Sequence, residues 1–492
     1  MTMQDVTFGR LPGSVQVGPR DADLPIPMTA PSVPDAKAAP YSVPWWVARL
    51  MAGLDARSER ITKWDAYYRG DQPLAFASSK FREAFGGRFK AFSSNFCALV
   101  VDGTRERLEV QGFRMDSSRS ASRAWRIWQG NDMDAASQVA HTEALIKSVV
   151  YALVEPAPLG LAADPRITIE DPLDAITASD PRDPRQRRAG LKRWVDDAGH
   201  LVVVLYLPDF VWKFRSQSPW SRGSGSLRLM PFMPPDEEWP LANPLGAVPL
   251  VPLLNRPRLD GSGQSEIDPV MSNQDAINKY RADALIAAEF GAYRQRWAIG
   301  VDIPTDPVTG QPIEPFKAAV DRLWVQPPPD PEDPNPPRVE FGEFSQTDMS
   351  PYQKMIESEI GAISSISRLP YHYLLGQPQA VPPSGESLKS SEAGLIRKVR
   401  TAMIHLGEGW EETVRLALRA IGDSGDRAGE TIWRDPETRN EAVRTDAVLK
   451  QFQAGLITRE VALEELGYSP DQVARMTAEP PIDTTGGTIQ DV

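Results

Sequence analysis

Apolar positions fall into blocks of different period along this chain. Trp46, Leu50, Leu54, Ile61, Trp64 and Tyr68 stand mostly three, four or seven apart, which predicts a helix opening near Trp45. A loop with Gly86 and Gly87 follows, then a helix around Phe96, Leu99 and Val100. Trp125 and Trp128 mark a short helix, and Val139, Leu145, Ile146, Val149 and Val150 mark the next. The period then drops to two. Residues 167–169, the Val-rich run 201–207 and the alternating Phe210, Trp212 and Phe214 read as strands. Residues 160–255 are expected as a mixed, mostly antiparallel β region with long Pro/Gly loops.

The second half of the chain is dominated by longer periodic stretches. A helix rich in small residues is predicted from Ile267 to about Trp297. Residues 300–350 are punctuated by proline, and seven of the eleven residues 327–337 are Pro, which demands extended polyproline-like backbone. Tyr352, Met355, Ile356, Ile363 and Ile366 predict a returning helix over 351–367. Beyond a breaker-rich loop, Ile396, Val399, Met403, Leu406, Trp410 and Val414 give a near-heptad stripe over 386–421. Gly407 and Gly409 interrupt it, and a kink is expected there. Residues 437–477 read as a compact helical hairpin. Residues 1–44 and the last fifteen lack periodicity and are expected to be mobile. The fold class is α+β, predominantly α.

Composition narrows the function. The chain has 492 residues, 54 Lys+Arg against 66 Asp+Glu and a net charge of −12, which argues against gripping nucleic-acid phosphate over a large face. A single cysteine, Cys97, excludes an intrachain disulfide framework and a Cys-based zinc site. His141, His200, His372 and His405 never fall at metalloprotease spacing. The N-terminus has no apolar signal region, and the run 201–207 is too short to span a bilayer. These features predict an acidic, soluble, intracellular-type protein with no membrane partner and no cofactor.

Candidate chemistry is sparse. Gly-Lys occurs nowhere, so there is no P-loop. No G-x-S-x-G elbow exists. Gly422-Asp423-Ser424-Gly425 is similar to a serine-protease nucleophile surround, but a helix end and turn after Ile421 is the favoured reading. A serine hydrolase using Ser424 is the enzymatic rival. The carboxylate pairs Glu237/Glu238 and Glu464/Glu465 read as surface groups, and His372 as a packing or loop residue. The only dense basic cluster, Arg182, Arg185, Arg187, Arg188, Lys192 and Arg193, could meet phosphate, but reads first as a solvated loop between strands. Residues 447–468 could form a DNA-binding helix-turn-helix regulator. A recognition helix over 458–466, however, would set Arg459 against Glu460, Glu464 and Glu465, the wrong sign for a major groove. A helical hairpin packed on its neighbours fits better.

Several segments, in this order, carry a resemblance: WDAYYRGDQPL (64–74), AINKYRADALIAAEFGAYRQRWAIG (276–300), RLPYHYLLG (368–376), PPSGESLKSSEAGLIRKV (382–399) and AVLKQFQAGLITREVALEELGY (447–468). Together they resemble the portal proteins of tailed bacteriophages, most nearly the siphophage portals of Gram-positive hosts, including actinobacterial phages. Residues 327–337 depart from that pattern. The resemblance implies a mixed-β wing at 45–262, stem helices at 263–299 and 350–368, and a clip at 300–349. It also implies a tunnel loop at 369–385, a long kinked helix at 386–422 and a helical crown at 423–477. It implies a homo-oligomeric ring, generally of twelve, at one capsid vertex of the virion, formed in the host cytoplasm. Double-stranded DNA would pass through it. Its partners would be the terminase large subunit, a head-completion adaptor, and the major capsid and scaffolding proteins. The implied channel residues are Gln377, Gln379, Val381, Pro382 and Pro383 in the loop and Arg281, Arg294 and Arg296 on the first stem helix. The clip contacts would be Trp324, Pro328, Asp330, Glu332 and Arg338. Arg185, Arg187, Arg188 and Lys192 would mark a basic wing loop.

Overall fold

The computed structural model describes residues 33–73, 93–157, 164–221, 227–232, 239–292, 296–299, 340–343, 348–375, 385–423, 429–437, 441–468 and 470–478. The chain divides into two compact units. One comprises Met1–Pro73, Ser94–Gln274 and Ile360–Val492, the other Leu74–Ser93 and Asp275–Glu359.

In the first unit, helix α1 (Val43–Arg69) and helix α2 (Phe96–Arg105) precede strand β1 (Val110–Met115). Helices α3 (Ser118–Gly130) and α4 (Met133–Lys147) follow, then β2 (Val149–Glu155), β3 (Arg166–Glu170), β4 (Ala175–Asp180) and β5 (Asp183–Val195). The sheet region continues through β6 (Leu201–Tyr206), β7 (Phe210–Ser216), β8 (Leu229–Pro231), β9 (Leu241–Ala242) and β10 (Leu250–Leu254). Strands β4 to β8 pair in sequence order and β9 joins β7, while β10, β2 and β3 make a second sheet. Every ladder among the described residues is antiparallel.

The larger sheet is covered on both faces, which explains why β6 reads LVVVLY without polar alternation. Leu201, Val203 and Leu205 pack with Trp46, Val47, Leu50, Met51 and Leu54 of α1. Val204 and Tyr206, one residue out of phase, pack with Val149, Tyr151 and Leu153 of β2 and Leu250 of β10. Each such side chain contributes about 1.5–3 kcal/mol on burial, so α1 is held by its apolar stripe. Residues 33–44 of the expected mobile arm are described, and residues 1–32 lie outside the described residues. Val33 is 1% exposed, joins the same core and accepts a hydrogen bond from the Leu229 N–H at 2.8 Å.

Two strands stand where the sequence suggested otherwise. Val149 and Val150 belong to β2, because Ser148 at φ 72° ends α4 and the valine-rich run beyond it suits a pleated strand. Most of the basic cluster 182–193 is not a loop: Arg185 to Arg193 lie along β5, whose Ala189 and Leu191 point into the α1 core, and Arg182 stands in the turn before it.

The first unit closes with α7 (Tyr371–Leu374), α8 (Gly385–Ala420), β13 (Gly429–Trp433), α9 (Glu441–Gln453), α10 (Arg459–Glu465) and α11 (Pro470–Ala478). Strand β13 pairs with β1, so the chain's last third completes a sheet begun before residue 116. Three helices replace the expected hairpin. Gly455 at φ 70° and Gly467 at φ 95° end α9 and α10 in a conformation that favours glycine, and Thr458 caps α10 by accepting the Val461 N–H at 3.3 Å.

Helix α8 runs unbroken through Gly407 and Gly409. Gly409 serves close packing: a β-carbon there would lie 2.4 Å from Leu253 Cδ2 and 3.2 Å from the Pro252 carbonyl oxygen on β10. Gly409→Ala should therefore destabilise by about 1–2 kcal/mol, overpacking outweighing the gain of ~1 kcal/mol from helix propensity. Gly361 has nothing within 4 Å of its would-be β-carbon, so Gly361→Ala should stabilise by about 0.5–1 kcal/mol. Opposite shifts in the urea midpoint check the pair.

The second unit holds most of helix α5 (Met271–Ala292), the strand pair β11 (Arg296–Ile299) with β12 (Glu340–Glu343), and the start of helix α6 (Ser350–Ser367). Helix α5 ends five residues before the expected Trp297. Gly291 weakens its last turn, and Trp297 and Ile299 favour extended backbone, so Arg296 sits on a strand and not on the helix. Lys279 and Asp283 pair one turn apart on α5, as Gln353 and Glu357 do on α6.

Candidate functional site

The densest buried polar network lies where β10, the approach to α5, the end of α6 and α8 converge. Glu266 is 4% exposed and Lys398 is 7% exposed. Lys398 Nζ lies 2.7 Å from Glu266 Oε2 and donates to the Ser367 carbonyl at 3.1 Å. Arg256 Nε lies 2.9 Å from Glu266 Oε1, and Asn255 Nδ2 donates to the same oxygen at 2.9 Å. Burial pushes the Glu266 carboxyl up, but the charges of Lys398 and Arg256 and the Asn255 amide outweigh it and hold the group below its ordinary range. Backbone bonds place these residues: Asn255 N–H donates to the Ser148 carbonyl at 3.0 Å, and Glu266 N–H to the Leu145 carbonyl at 2.9 Å.

The foot of α5 is fixed beside this network. Trp64 Nε1 donates to Asp268 at 2.8 Å. Gln274, fully buried, accepts the Phe96 N–H at 2.7 Å and donates to the Ser94 carbonyl at 2.8 Å. Residues 367–375 are fixed at the other side. Leu369 fills a notch at Gly103, where a β-carbon would stand 2.6 Å from its Cδ1. Arg107 Nη2 donates to Tyr373 Oη at 2.9 Å, and Tyr373 Oη donates to Glu392 Oε1 at 2.6 Å. Burial and the bond to Glu392 raise the Tyr373 hydroxyl above its ordinary range, against the opposing pull of Arg107. The segments entering and leaving residues 376–384 are thus tied to each other through Tyr373 and Glu392, and to α2 through Arg107.

An aromatic box supports α8 from behind. Trp410 and His141 are both fully buried, and Trp410 Nε1 donates to His141 Nε2 at 2.9 Å. Trp128 packs edge-on against Trp410 at 5.1 Å, and Trp433 tilts over His141 at 5.4 Å. Burial first, and the charge of Arg105 second, lower the His141 pKa to about 3, with the Leu108 carbonyl opposing.

The sequence-derived candidates are scattered relative to these networks. Gln377, Gln379, Val381, Pro382 and Pro383, the residues Trp324, Pro328, Asp330, Glu332 and Arg338, and Arg294 and Ser424 lie outside the described residues. Arg281 is exposed on α5. Three of the basic candidates face carboxylates of their own chain: Arg187 pairs with Glu412 at 2.9 Å, Arg188 with Asp180, and Lys192 with Glu170 at 2.7 Å. The tetrad at 422–425 begins as a helix end, with Gly422 at φ 78° and the Asp423 N–H donating to the Leu418 carbonyl at 3.0 Å. Asp423 pairs with Arg123 at 2.8 Å. In α10, Glu464 lies 3.4 Å from Arg114 of β1, a packing role within the chain. His372 stacks edge-on against Tyr373 at 4.7 Å, the packing role expected of it. Among the described residues no acidic, His or Cys group has metal-holding geometry, and no helix is long and apolar enough to cross a membrane.

Sequence reasoning passed over Glu266, Lys398, Arg107, Tyr373 and Glu392 as functional residues. Lys398 did leave a signal: it falls on the buried stripe of α8, three after Leu395 and four before Ala402, where a charge needs a partner.

Comparison with known proteins gives a family. The family described as "Phage portal protein, SPP1 Gp6-like" matches residues 48–479. The portal protein of Mycobacterium phage D29 is 31% identical over 395 residues, covering 75% of this chain and 75% of the relative. That of Mycobacterium phage L5 is 30% identical over 393 residues with the same coverage. Among solved structures, a chain from the neck of an empty gene transfer agent particle aligns with TM-score 0.42 and 11% identity, covering 81% of this chain and 96% of the other. One from the virion of a native gene transfer agent particle aligns with TM-score 0.39 and 12% identity at the same coverage. With a family match that begins in α1 and ends just past α11, the chain belongs to the SPP1 Gp6-like phage portal proteins.

Proposed function

We propose that this portal protein assembles as a ring of twelve at the capsid vertex of a virion, through which double-stranded DNA is packaged and later ejected. The observation that carries the reading is the family match over 48–479, which takes in the whole element order from α1 to α11. The ring would form in the host cytoplasm with the major capsid and scaffolding proteins. The terminase large subunit and then a head-completion adaptor would dock on residues 300–349, with Trp324, Pro328, Asp330, Glu332 and Arg338 as contacts. Helices α5 and α6 would form the stem, with Arg281 toward the channel, and Gln377, Gln379, Val381, Pro382 and Pro383 would approach the DNA.

Electrostatics supports passage rather than capture. Each chain carries −12, and duplex DNA carries one negative charge per ~1.7 Å of axis. A wall of like sign lets DNA slide, whereas many phosphate contacts would hold it. The absence of a P-loop leaves ATP hydrolysis to a separate motor. No second reading is favoured: Asp423 and Glu464 are each engaged within the chain.

The test is the mass and symmetry of the purified protein. Twelve chains of 54.3 kDa give a particle of about 650 kDa with a central hole. Monomers that persist even with capsid and scaffolding proteins present would overturn the reading. The loop assignment has its own test. Shortening residues 377–383 should leave ring mass unchanged and lower packaged or retained DNA at least about tenfold, since channel contact is lost and the closing interfaces are not. Normal DNA content in the shortened variant would defeat it.

A further inference from the structure

We propose that the tip of the β4–β5 hairpin is a contact with a second copy of this chain, its Arg182 and Arg185 meeting carboxylates of that copy. The proposal rests on the ring reading above. Six cations stand between residues 182 and 193, and four face a carboxylate of their own chain. Arg187 meets Glu412 at 2.9 Å, Arg188 meets Asp180, Lys192 meets Glu170 at 2.7 Å and Arg193 meets Asp55 at 2.9 Å. Arg182 and Arg185 differ. They stand in the exposed run 181–186, which spans the turn and the first residues of β5.

The acidic groups of the tip hold its backbone turns. Asp180 Oδ1 accepts the Arg182 N–H at 2.8 Å, and its other oxygen takes Arg188. Asp183 Oδ1 accepts the Arg185 N–H at 3.1 Å. Pro181 and Pro184 fix two φ angles between these turns. The result is a stiff projection whose carboxylates close its own turns and whose two guanidinium groups stay exposed.

Charge selects the occupant. Chains of −12 repel one another, so a closed ring gains from opposite-sign contacts placed locally at the subunit boundary. A guanidinium suits a carboxylate through two parallel hydrogen bonds. A contact repeated around a ring also acts many times over, so a modest pair suffices. Duplex DNA would offer phosphates to the same guanidinium groups, and the experiment below separates it from a second copy.

The experiment uses the full-length chain. Ring fraction is measured by native mass from about 50 to about 500 mM salt, a range over which exposed charge pairs become screened. Arg182→Glu/Arg185→Glu should lower the ring fraction about tenfold at low salt, with the deficit shrinking as salt rises. Arg182→Gln/Arg185→Gln should give a smaller loss in the same direction, and Arg182→Lys/Arg185→Lys should retain most rings. Circular dichroism checks that each variant folds. Rings of the reversal and glutamine variants equal to wild type at low salt would overturn the proposal. So would unchanged rings with lost binding to a short DNA duplex, which would assign the tip to nucleic acid. If the wild type forms no ring even with its capsid partners, the ring reading fails, and the tip contact with it.

Discussion

Lys398→Met should lower the unfolding free energy by about 3–5 kcal/mol, because it leaves the buried Glu266 carboxylate without its principal counter-charge. Arg256 and Asn255 remain on Glu266 Oε1, but Oε2 loses its partner at 2.7 Å and the Ser367 carbonyl loses its donor. The second half of the test separates a buried charge from lost packing. Adding Glu266→Gln removes the orphaned charge while keeping an oxygen for Asn255, and should restore at least about 2 kcal/mol. Urea unfolding followed by tryptophan fluorescence measures both. Equal destabilisation of the single and double variants would show that Lys398 acts through packing alone. The pH sense is fixed as well. A carboxyl held below its ordinary range stabilises the fold above its unfolded pKa, and that contribution is lost as pH falls through the folded value.

The network matters because of what it joins. Glu266 lies five residues before α5 begins, Ser367 is the last residue of α6, and Lys398 lies on α8. The network ties the residues just before α5 to the end of α6 and to α8. Arg107, Tyr373 and Glu392 do the same for the two strands of chain that bound residues 376–384. Neither cluster looks like chemistry, and neither needs to. Both hold separate segments of the chain together.

Periodicity made the helices legible. The apolar stripes of α1, α6 and α8 each exceed four turns, and the expected spans for α6 and α8 match to within about two residues. Strands were readable where β-branched residues ran together, as in β6, or alternated, as in β7. Strand β2 was hidden because its valines continue the helical spacing of α4, and only the left-handed Ser148 marks the break. Strand β13 was hidden because its partner β1 lies more than 300 residues earlier, a pairing that local pattern cannot express. The basic run misled for a related reason. Three of its charges are met by Glu170, Asp55 and Glu412, which come from three separate parts of the chain. Site residues were least legible of all. A portal's function resides in contacts between copies and with DNA, and these leave no catalytic spacing within one sequence.

His141 should make this protein acid-sensitive in a defined window. At pH 7 the imidazole is neutral in both folded and unfolded chains. Below the ordinary value of 6.5 the unfolded chain takes up a proton that the folded chain refuses until about pH 3. Stability is therefore lost as pH falls through that interval, by about 3 kcal/mol at pH 4.5 and about 5 kcal/mol once both states are protonated. The structural cause is the box around the ring. Trp410 is buried edge-on beside it and Trp433 tilts over it, Trp128 packs on Trp410 and Phe113 on Trp128, and the accepting nitrogen already holds the Trp410 N–H. A protonated imidazole would turn that acceptor into a second donor facing a donor. His141→Gln keeps a carbonyl for Trp410 and removes the titration. The variant should lose stability at pH 7 through imperfect packing, yet lose about 2–3 kcal/mol less than wild type between pH 7 and 4.5. Paired urea titrations at the two pH values measure the difference. Identical acid loss in both proteins would mean that carboxylates, not His141, govern the acid limb.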